Sequence, residues 1–137
     1  MHNMVHKIFG NDRLLALIVK RDFCQSGIQF FTPDDFSQQL AYLHHPTGKI
    51  IFPHFHNIVR REVHYTQEVL FIKKGKLRVD IYDENQNYIE SCILEAGDVI
   101  LLAGGGHGFE VIEEIEMIEV KQGPYVGRGD KTNFPGI

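Results

Sequence analysis

Short runs of apolar residues, bounded by turn residues or charges, recur along most of the chain. They occupy residues 14–20, 28–31, 49–56, 67–74, 76–83, 88–94, 98–102, 109–113 and 115–121. Runs this short with turn residues between them are typical of antiparallel β-sandwiches and barrels rather than of parallel sheets. Closing such a sheet also removes its exposed edges. The pattern therefore predicts an all-β protein, in which tight turns at Gly75 and at 84–87 join successive strands.

One stretch of the N-terminal third has a different pattern. In residues 32–43, Thr32 stands at an N-cap position, Pro33 at the first helical position, and Asp34 and Asp35 in the first turn. A capping hydroxyl, a proline at the first position and early acidic residues all favour the start of a helix. We therefore expect a short N-terminal helix or helical turn before the main group of strands.

Length, charge and cysteine usage narrow the classes of function. The chain has 137 residues, which predicts one domain, and its net charge of −4 comes from 14 basic and 18 acidic residues spread along it. It has no basic stripe for nucleic acid, and the apolar run at 14–19 is too short for a signal segment or a membrane span. Cys24 and Cys92 form no C-x-x-C motif, which favours a reducing compartment. We expect a cytoplasmic protein that binds neither nucleic acid nor membrane.

Histidines concentrate in one part of the sequence, since five of the eight fall within residues 44–64. Side chains alternate between faces along a strand, so His54 and His56 are predicted to point the same way. Two imidazoles on one face are a common start of a first-row metal site. Taken alone, an H-x-H pair in a histidine-rich chain is more often a surface feature.

Glu68 is the best candidate for a carboxylate ligand. Strand alternation places it on the same face as Leu70 and Ile72. A carboxylate on an inward face is costly to bury unless it is paired or bound to a metal. Alternatively, Glu68 lies in water at the open end of its strand, or pairs with Arg60 or Arg61.

His107 follows three consecutive glycines at 104–106, directly after the apolar strand 98–102. Glycines permit a tight turn and a close approach of the backbone to a neighbouring element. The strand that resumes after the turn carries His107, Phe109 and Val111 on one face. Either His107 points inward as a ligand, or the turn is a plain glycine hairpin with a solvated histidine.

Together, these residues resemble the two sequence motifs of the cupin superfamily. Glu68, six residues and Gly75 are similar to the end of the first motif, and Gly97-Asp98, the apolar strand, the glycine turn and His107 are similar to the second. Over residues 48–122 the resemblance implies a jelly-roll β-barrel. From the residue pattern we expect strands and a short helix in 1–47 before it, and a glycine-rich C-terminal strap in 123–137 after it. The resemblance also implies one divalent metal ion with four ligands: His54, His56, Glu68 and His107.

The spacing departs from the cupin pattern in two places. Eleven residues separate His56 from Glu68, where the first motif usually has three or four. A strict register instead puts Glu62 and His64 in the positions of the two histidines, with Glu68 and His107 unchanged. The H-x-H pair favours the first set, because a longer loop at a barrel mouth costs little closure entropy. In the second motif, Ala103 replaces the usual proline and His107 stands one residue early.

The resemblance implies iron, manganese, nickel or zinc, with open positions for water or substrate. The implied function is binding or conversion of a small oxygen-rich metabolite, such as a sugar or hydroxy acid, and an enzyme of this kind is a metal-dependent oxygenase or isomerase. The alternative is a non-catalytic ligand-binding or regulatory cupin. Arg60 and Arg61 are candidates for contact with an anionic group, and Tyr65 and Phe109 for lining the pocket. Cupins commonly pair through their outer sheets, which implies a homodimer.

Overall fold

The computed structural model describes residues 4–137, apart from the side chain of Arg128. This part of the chain contains no α-helix, and the prediction of an all-β protein is confirmed. Its strands, with one short 3-10 helix, are β1 Val5–Gly10, β2 Arg13–Val19, β3 Gly27–Phe30, β4 Ala41–His44, β5 Glu68–Tyr82, β6 Tyr88–Glu95, β7 Val99–Leu102, β8 Gly106–Lys121 and the 3-10 turn Gly127–Asp130.

Six of the strands form one antiparallel sheet, and β3 and β4 form a separate hairpin. The order in the sheet is β1-β2-β7-β5-β6, and β8 pairs with β5 along its whole length. β7 and β6 lie end to end along the other side of β5, since β7 pairs with its first four residues and β6 with its last seven. The sheet is strongly curled into a half-barrel, so that its first and second halves face each other.

The curl is centred on Gly75, where the chain continues rather than turns back. Gly75 has φ +94°, and a Cβ at this position would overlap the backbone carbonyl oxygen of Glu114 on β8. The register between β5 and β8 shifts three times between Ile72 and Leu77. Such bulges bend a strand and increase its twist. The predicted tight turn at Gly75 is therefore wrong, because 67–74 and 76–83 belong to a single strand, as do 109–113 and 115–121.

The bulges also keep the apolar face of β5 inside the half-barrel. Ile72 and Leu77 are both buried, although they are five residues apart and strict alternation would put them on opposite faces. The main core cluster inside the curl is formed by Ile8, Leu15, Ala16, Ile18, Leu70, Ile72, Leu77, Val79, Ile81, Leu94, Ile100 and Leu102. A second cluster covers the opposite face of β2 and β7 with residues that include Phe31 and Leu101.

The short N-terminal helix predicted for 32–43 does not form, and only a turn is present, closed by the Phe36 N–H to the Pro33 carbonyl. The Gln39 amide donates to the carbonyls of both Pro33 and Phe36, which a helix would need as backbone acceptors. The Thr32 hydroxyl accepts from the Leu40 N–H and donates to Gln39. These side-chain bonds favour a turn over a helix. The chain then enters β4, a strand that the sequence pattern did not indicate.

Residues 45–67 form no strand, so the predicted strand 49–56 is not present. Pro53 lies in its middle and has no backbone N–H to donate to a neighbouring strand. The segment instead leaves large apolar side chains in solvent, with Phe52 81% and Phe55 85% exposed. The histidine-rich part of the chain therefore runs over the surface before entering β5.

A buried carboxylate holds the turn between β6 and β7. Asp98 is only 1% exposed and accepts hydrogen bonds from the Lys20 ammonium at 2.7 Å and from the backbone N–H groups of Arg21 and Glu95, each at 2.8 Å. The three hydrogen bonds compensate the carboxylate for the loss of its contacts with water on burial. The Gly97-Asp98 pair thus has a structural role, since it ties this turn to the end of β2.

The C-terminal residues pack against the far end of β5. The Phe134 ring meets the Tyr82 ring edge to face at a centroid distance of 5.1 Å, and the Tyr82 hydroxyl accepts a hydrogen bond from the Ile137 N–H at 3.1 Å. Within residues 4–137, no helix has the length and apolar character needed to cross a bilayer.

Candidate metal centre

The side chains of Glu68 and His107 meet on the inner face of the half-barrel. The Glu68 Oε1 lies 2.8 Å from the His107 Nε2. The Glu68 side chain is 10% exposed and that of His107 is 31% exposed, so the imidazole is accessible from solvent and the carboxylate hardly at all. The structure thus brings together two of the four predicted ligands, which are far apart along the chain.

This contact depends on the curl of β5. Glu68 is opposite Lys121 on β8, whereas His107 is opposite Ile81, 13 residues further along β5. In a straight strand those two positions would be about 43 Å apart, at about 3.3 Å per residue. Directly opposite residues share a face, so Glu68, Ile81 and His107 all point inward. The contact exists because the two ends of β5 curl towards each other.

The glycine turn before His107 is needed because two backbones approach closely there. β7 ends at Leu102, opposite Glu68, and β8 begins at Gly106, opposite Tyr82. Gly105 has φ +65°, and a Cβ there would overlap the backbone carbonyl oxygen of Tyr82. The expected tight turn is present, and it carries the chain across the gap between the two ends of β5 directly into His107.

Two residues near the end of β8 complete the electrostatic environment. Glu119 forms a hydrogen bond with Glu68, and Lys121 adds a positive charge. The hydrogen bond from His107 is the main cause that lowers the pKa of Glu68 to about 2, against the cost of its burial. The hydrogen bond to the Glu68 carboxylate raises the pKa of Glu119 above its usual range. Glu68 is therefore the ionised acceptor, and Glu119 is the carboxyl that keeps its proton more readily.

The spacing of the Glu68 and His107 donor atoms fits a metal ion. Carboxylate oxygens and imidazole nitrogens bind first-row ions at about 2.1 Å, so adjacent ligands of an octahedral ion lie about 3.0 Å apart. The observed 2.8 Å between Oε1 and Nε2 is close to that value. One oxygen and one nitrogen donor suit iron, manganese, nickel and zinc alike. The pair therefore fits as two adjacent ligands, and a complete site needs further donors.

His54 and His56 lie in the exposed segment 45–67. Their rings are 5.4 Å apart between centroids, and the His54 Nδ1 is 2.9 Å from the Phe52 carbonyl oxygen. In the described part of the chain, neither of them joins Glu68 and His107 in a group of three donors that all lie within 4.8 Å of one another. The four-ligand set of His54, His56, Glu68 and His107 stays a prediction.

The alternate ligands Glu62 and His64 lie in the same segment. The Glu62 Oε1 and the His64 Nε2 are 3.6 Å apart, and both side chains are exposed. Together with Arg61, they line a cleft of about 1130 Å³ between this segment, the turn around Phe36 and the chain that follows β8 at Gly123. The structure therefore brings the two alternate ligands together at a surface cleft.

The predicted ligand-contacting residues have different surroundings. The Tyr65 hydroxyl accepts a hydrogen bond from Arg13 at 3.0 Å, and the Arg13 guanidinium also stacks over the Tyr65 ring. The Phe109 ring lies 5.4 Å from the His107 ring, on the same face of β8. Arg60 and Arg61 are exposed, and no ion pair joins either of them to Glu68 within residues 4–137. The alternative pairing of Glu68 with an arginine does not form.

Sequence reasoning missed Glu119, which is the second partner of Glu68. The available signal was strand alternation in 115–121, which puts Glu119 and Lys121 on one face. Alternation alone leaves open which of the two faces is inward. The register of β5 with β8 decides it, because Lys121 is directly opposite Glu68.

The fold and the site define an all-β protein whose curled antiparallel sheet holds a carboxylate–imidazole pair on its inner face. No protein-family model, no curated protein and no solved structure matches this chain. The cupin resemblance therefore stays a prediction from the sequence motifs.

Proposed function

We propose that the protein is a metal-binding cupin that binds or converts a small oxygen-rich metabolite, such as a sugar or hydroxy acid, at one divalent ion. The observation that carries this proposal is the 2.8 Å contact between Glu68 and His107. In the sequence resemblance, these two residues stand in the positions of the acidic ligand of the first cupin motif and the histidine of the second. Two residues chosen from separate motifs meet on the inner face of the sheet, at a spacing that suits adjacent metal ligands.

The inner face of β8 supports closure of the half-barrel into a jelly roll. Phe109, Val111 and Met117 lie on this face, opposite core residues of β5, yet they are between 37% and 53% exposed. Adjacent apolar side chains left in water favour an additional covering element. The segment 45–67 has exposed apolar residues of its own and enters β5 directly at Glu68. Its closure over β8 is the proposed route by which His54 and His56, or Glu62 and His64, complete the ligand set.

The chemistry proposed for the site follows from its ligands. When bound, a divalent ion with open positions supplies Lewis-acid chemistry towards a hydroxy-carbonyl group. Glu68 is ionised at neutral pH and offers a charged ligand without losing a proton. Arg60 and Arg61 are proposed to meet an anionic group of the metabolite, and Tyr65 and Phe109 to line its pocket. An oxygenase or isomerase activity is the enzymatic form of this proposal, and metal-dependent ligand binding without turnover is the non-catalytic form.

Partner and compartment are also part of the proposal. β8 is a sheet edge of 16 residues, and its outer side pairs with no strand of the part described. Long free edges recruit another strand unless they are covered, which supports a homodimer, and light scattering after gel filtration measures its mass. Both cysteines are free thiols, as expected in a reducing cytoplasm.

Metal analysis of protein purified without an affinity tag tests the proposed centre. We expect wild type to carry metal, and Glu68→Gln and His107→Ala each to lose one equivalent relative to it. Loss in His54→Ala identifies the first ligand set, and loss in His64→Ala identifies the second. His44→Ala is the matched control, since His44 is an exposed histidine outside both sets. Metal-free wild type, or full metal content in both Glu68→Gln and His107→Ala, would contradict the proposal.

A further inference from the structure

A second group of metal-binding side chains lies away from Glu68 and His107, where β1 passes over β6. The His6 Nε2 on β1 is 2.5 Å from the Glu90 Oε2 on β6. The Cys92 Sγ is 3.6 Å from the same carboxylate oxygen. The three donor atoms all lie within 4.8 Å of one another, and each residue is partly buried.

Strand geometry explains why these three side chains converge. Glu90 and Cys92 are two residues apart on β6, so they share a face. That face is turned towards the core, because Cys92 packs against the main core cluster. His6 shares a face with Ile8, which is 1% exposed and belongs to the same cluster. The packing of Ile8 therefore fixes β1 above β6 and places the His6 imidazole at the rim, beside the carboxylate and the thiol.

We propose that His6, Glu90 and Cys92 form a separate binding site for a zinc-like divalent ion, with three protein ligands and one open position. Thiolate, imidazole and carboxylate are the ligand types that zinc takes in proteins. In a tetrahedral site with a metal–sulfur distance of about 2.3 Å and a metal–oxygen distance of about 2.1 Å, sulfur and oxygen lie about 3.6 Å apart. The Cys92 Sγ and the Glu90 Oε2 already have this separation.

The nitrogen and oxygen donors need a small adjustment to admit the ion. In the same tetrahedral geometry they lie about 3.4 Å apart, so the hydrogen bond between His6 and Glu90 must open by about 0.9 Å. Both side chains are 40% exposed, and a rotation towards solvent is open to each. That exposure also gives a hydrated ion a direct path to the site.

Coordination of an ion by Cys92 requires the thiol to lose its proton. Burial, together with the charge of Glu90, raises the pKa of the Cys92 thiol to about 11. A thiol that stays protonated at neutral pH is a poor nucleophile. A bound cation overcomes this by displacing the thiol proton to solvent, since coordination deprotonates a thiol outright. The imidazole binds through Nε2 and keeps its remaining hydrogen on Nδ1.

Titration with Co²⁺, followed by Zn²⁺ competition, tests this site on the full chain. Cobalt bound to a thiolate has an intense near-ultraviolet charge-transfer band, which a site made of Glu68 and His107 cannot produce. We expect one equivalent of Co²⁺ to give this band in wild type and in Cys24→Ser, the control that removes the exposed thiol. Cys92→Ser should abolish the band, and His6→Gln and Glu90→Gln should each weaken Co²⁺ binding by about 100-fold or more, beyond the loss typical of outer-shell changes.

Two results would overturn the proposal: no thiolate band in wild type, or a band that survives in Cys92→Ser. Should Cys92→Ser fail to fold, alkylation of the single thiol of Cys24→Ser decides the question, because bound Zn²⁺ must slow modification of Cys92, and unchanged alkylation refutes the site. Glu68→Gln and His107→Ala are expected to keep the band. The test of this site is therefore independent of the test of the proposed cupin centre.

Discussion

Replacing Gly75 with alanine tests the origin of the curl in the sheet. Gly75 lies between Lys74, which is opposite Glu116, and Lys76, which is opposite Glu113. Its φ of +94° is a conformation that residues with a Cβ rarely adopt, and an added methyl group would overlap the Glu114 carbonyl oxygen. Since that oxygen belongs to the backbone, it cannot move without displacing β8.

The expected cost has two parts. A positive φ costs a residue with a Cβ about 1–2 kcal/mol. Forcing an extra methyl group into a closely packed position costs about 1–3 kcal/mol more. Gly75→Ala is therefore expected to lower the free energy of unfolding by about 2–5 kcal/mol, a large share of the 5–15 kcal/mol of a typical domain.

Urea denaturation of three alanine variants separates these two parts. Gly48 also has a positive φ, of +88°, but no atom lies near its added Cβ, so Gly48→Ala measures the backbone strain alone. Gly108, on β8, has neither a positive φ nor a close neighbour, so Gly108→Ala should have little effect. We expect the loss to be largest at Gly75, smaller at Gly48 and near zero at Gly108. Equal losses at Gly75 and Gly48 would refute close contact with Glu114 as a cause of the curl.

Three further variants probe the polar contacts. In metal-free protein, stability should fall as the pH drops from about 4.5 towards 2, where Glu68 must take up a proton, and urea denaturation of Glu68→Gln should show a smaller fall. Asp98→Ala should cost about 2–4 kcal/mol in the same assay, because its buried donors lose their acceptor, whereas exposed Asp22→Ala should cost little. Tyr82→Phe should cost at most about 1.5 kcal/mol and speed amide hydrogen exchange at Ile137.

Each of these expectations has a result that contradicts it. A pH profile of wild type that is no steeper than that of Glu68→Gln would mean that the carboxylate is not held ionised by His107. Glu119 has the opposite effect on stability at low pH, because its raised pKa favours the protonated form in the folded state. The total loss of stability on acidification is therefore smaller than the shift of Glu68 alone would give. The expectation for Asp98→Ala would be contradicted if this variant were as stable as Asp22→Ala. The expectation for Tyr82→Phe would be contradicted by unchanged amide exchange at Ile137.

Local patterning was sufficient for four of the short strands, although it did not indicate β1 or β4. The runs 14–20, 28–31, 88–94 and 98–102 agree with β2, β3, β6 and β7 to within one residue at each end. In these strands the apolar run and the bounding turn residues end at the same place. The pattern failed to predict the course of the chain where a bulge is present instead of a turn. Glycine permits a positive φ in both structures. Only pairing with the partner strand determines whether the chain continues or reverses. Gly75 is such a case.

The candidate site, too, could be predicted from the sequence only in part. Alternation correctly put Glu68 on the face of Leu70 and Ile72, which is the buried face. Its closeness to His107 has no local signal, since the distance between them is set by the bend of β5. The shared face predicted for His54 and His56 assumed a strand, and the segment that carries them has none. A single sequence therefore predicts faces within strands but not the closure of the sheet.

Both candidate metal sites depend on that closure. The bend at Gly75 separates the half of β5 that pairs with β7 from the half that pairs with β6. Folding one half over the other brings Glu68 to His107. In the sheet, β2 lies between β7 and β1, so the same bend also carries β1 over β6. This brings His6 to Glu90 and Cys92. Any change that flattens the bend must weaken both sites together, although they share no residue, whereas a change in one ligand set leaves the other intact.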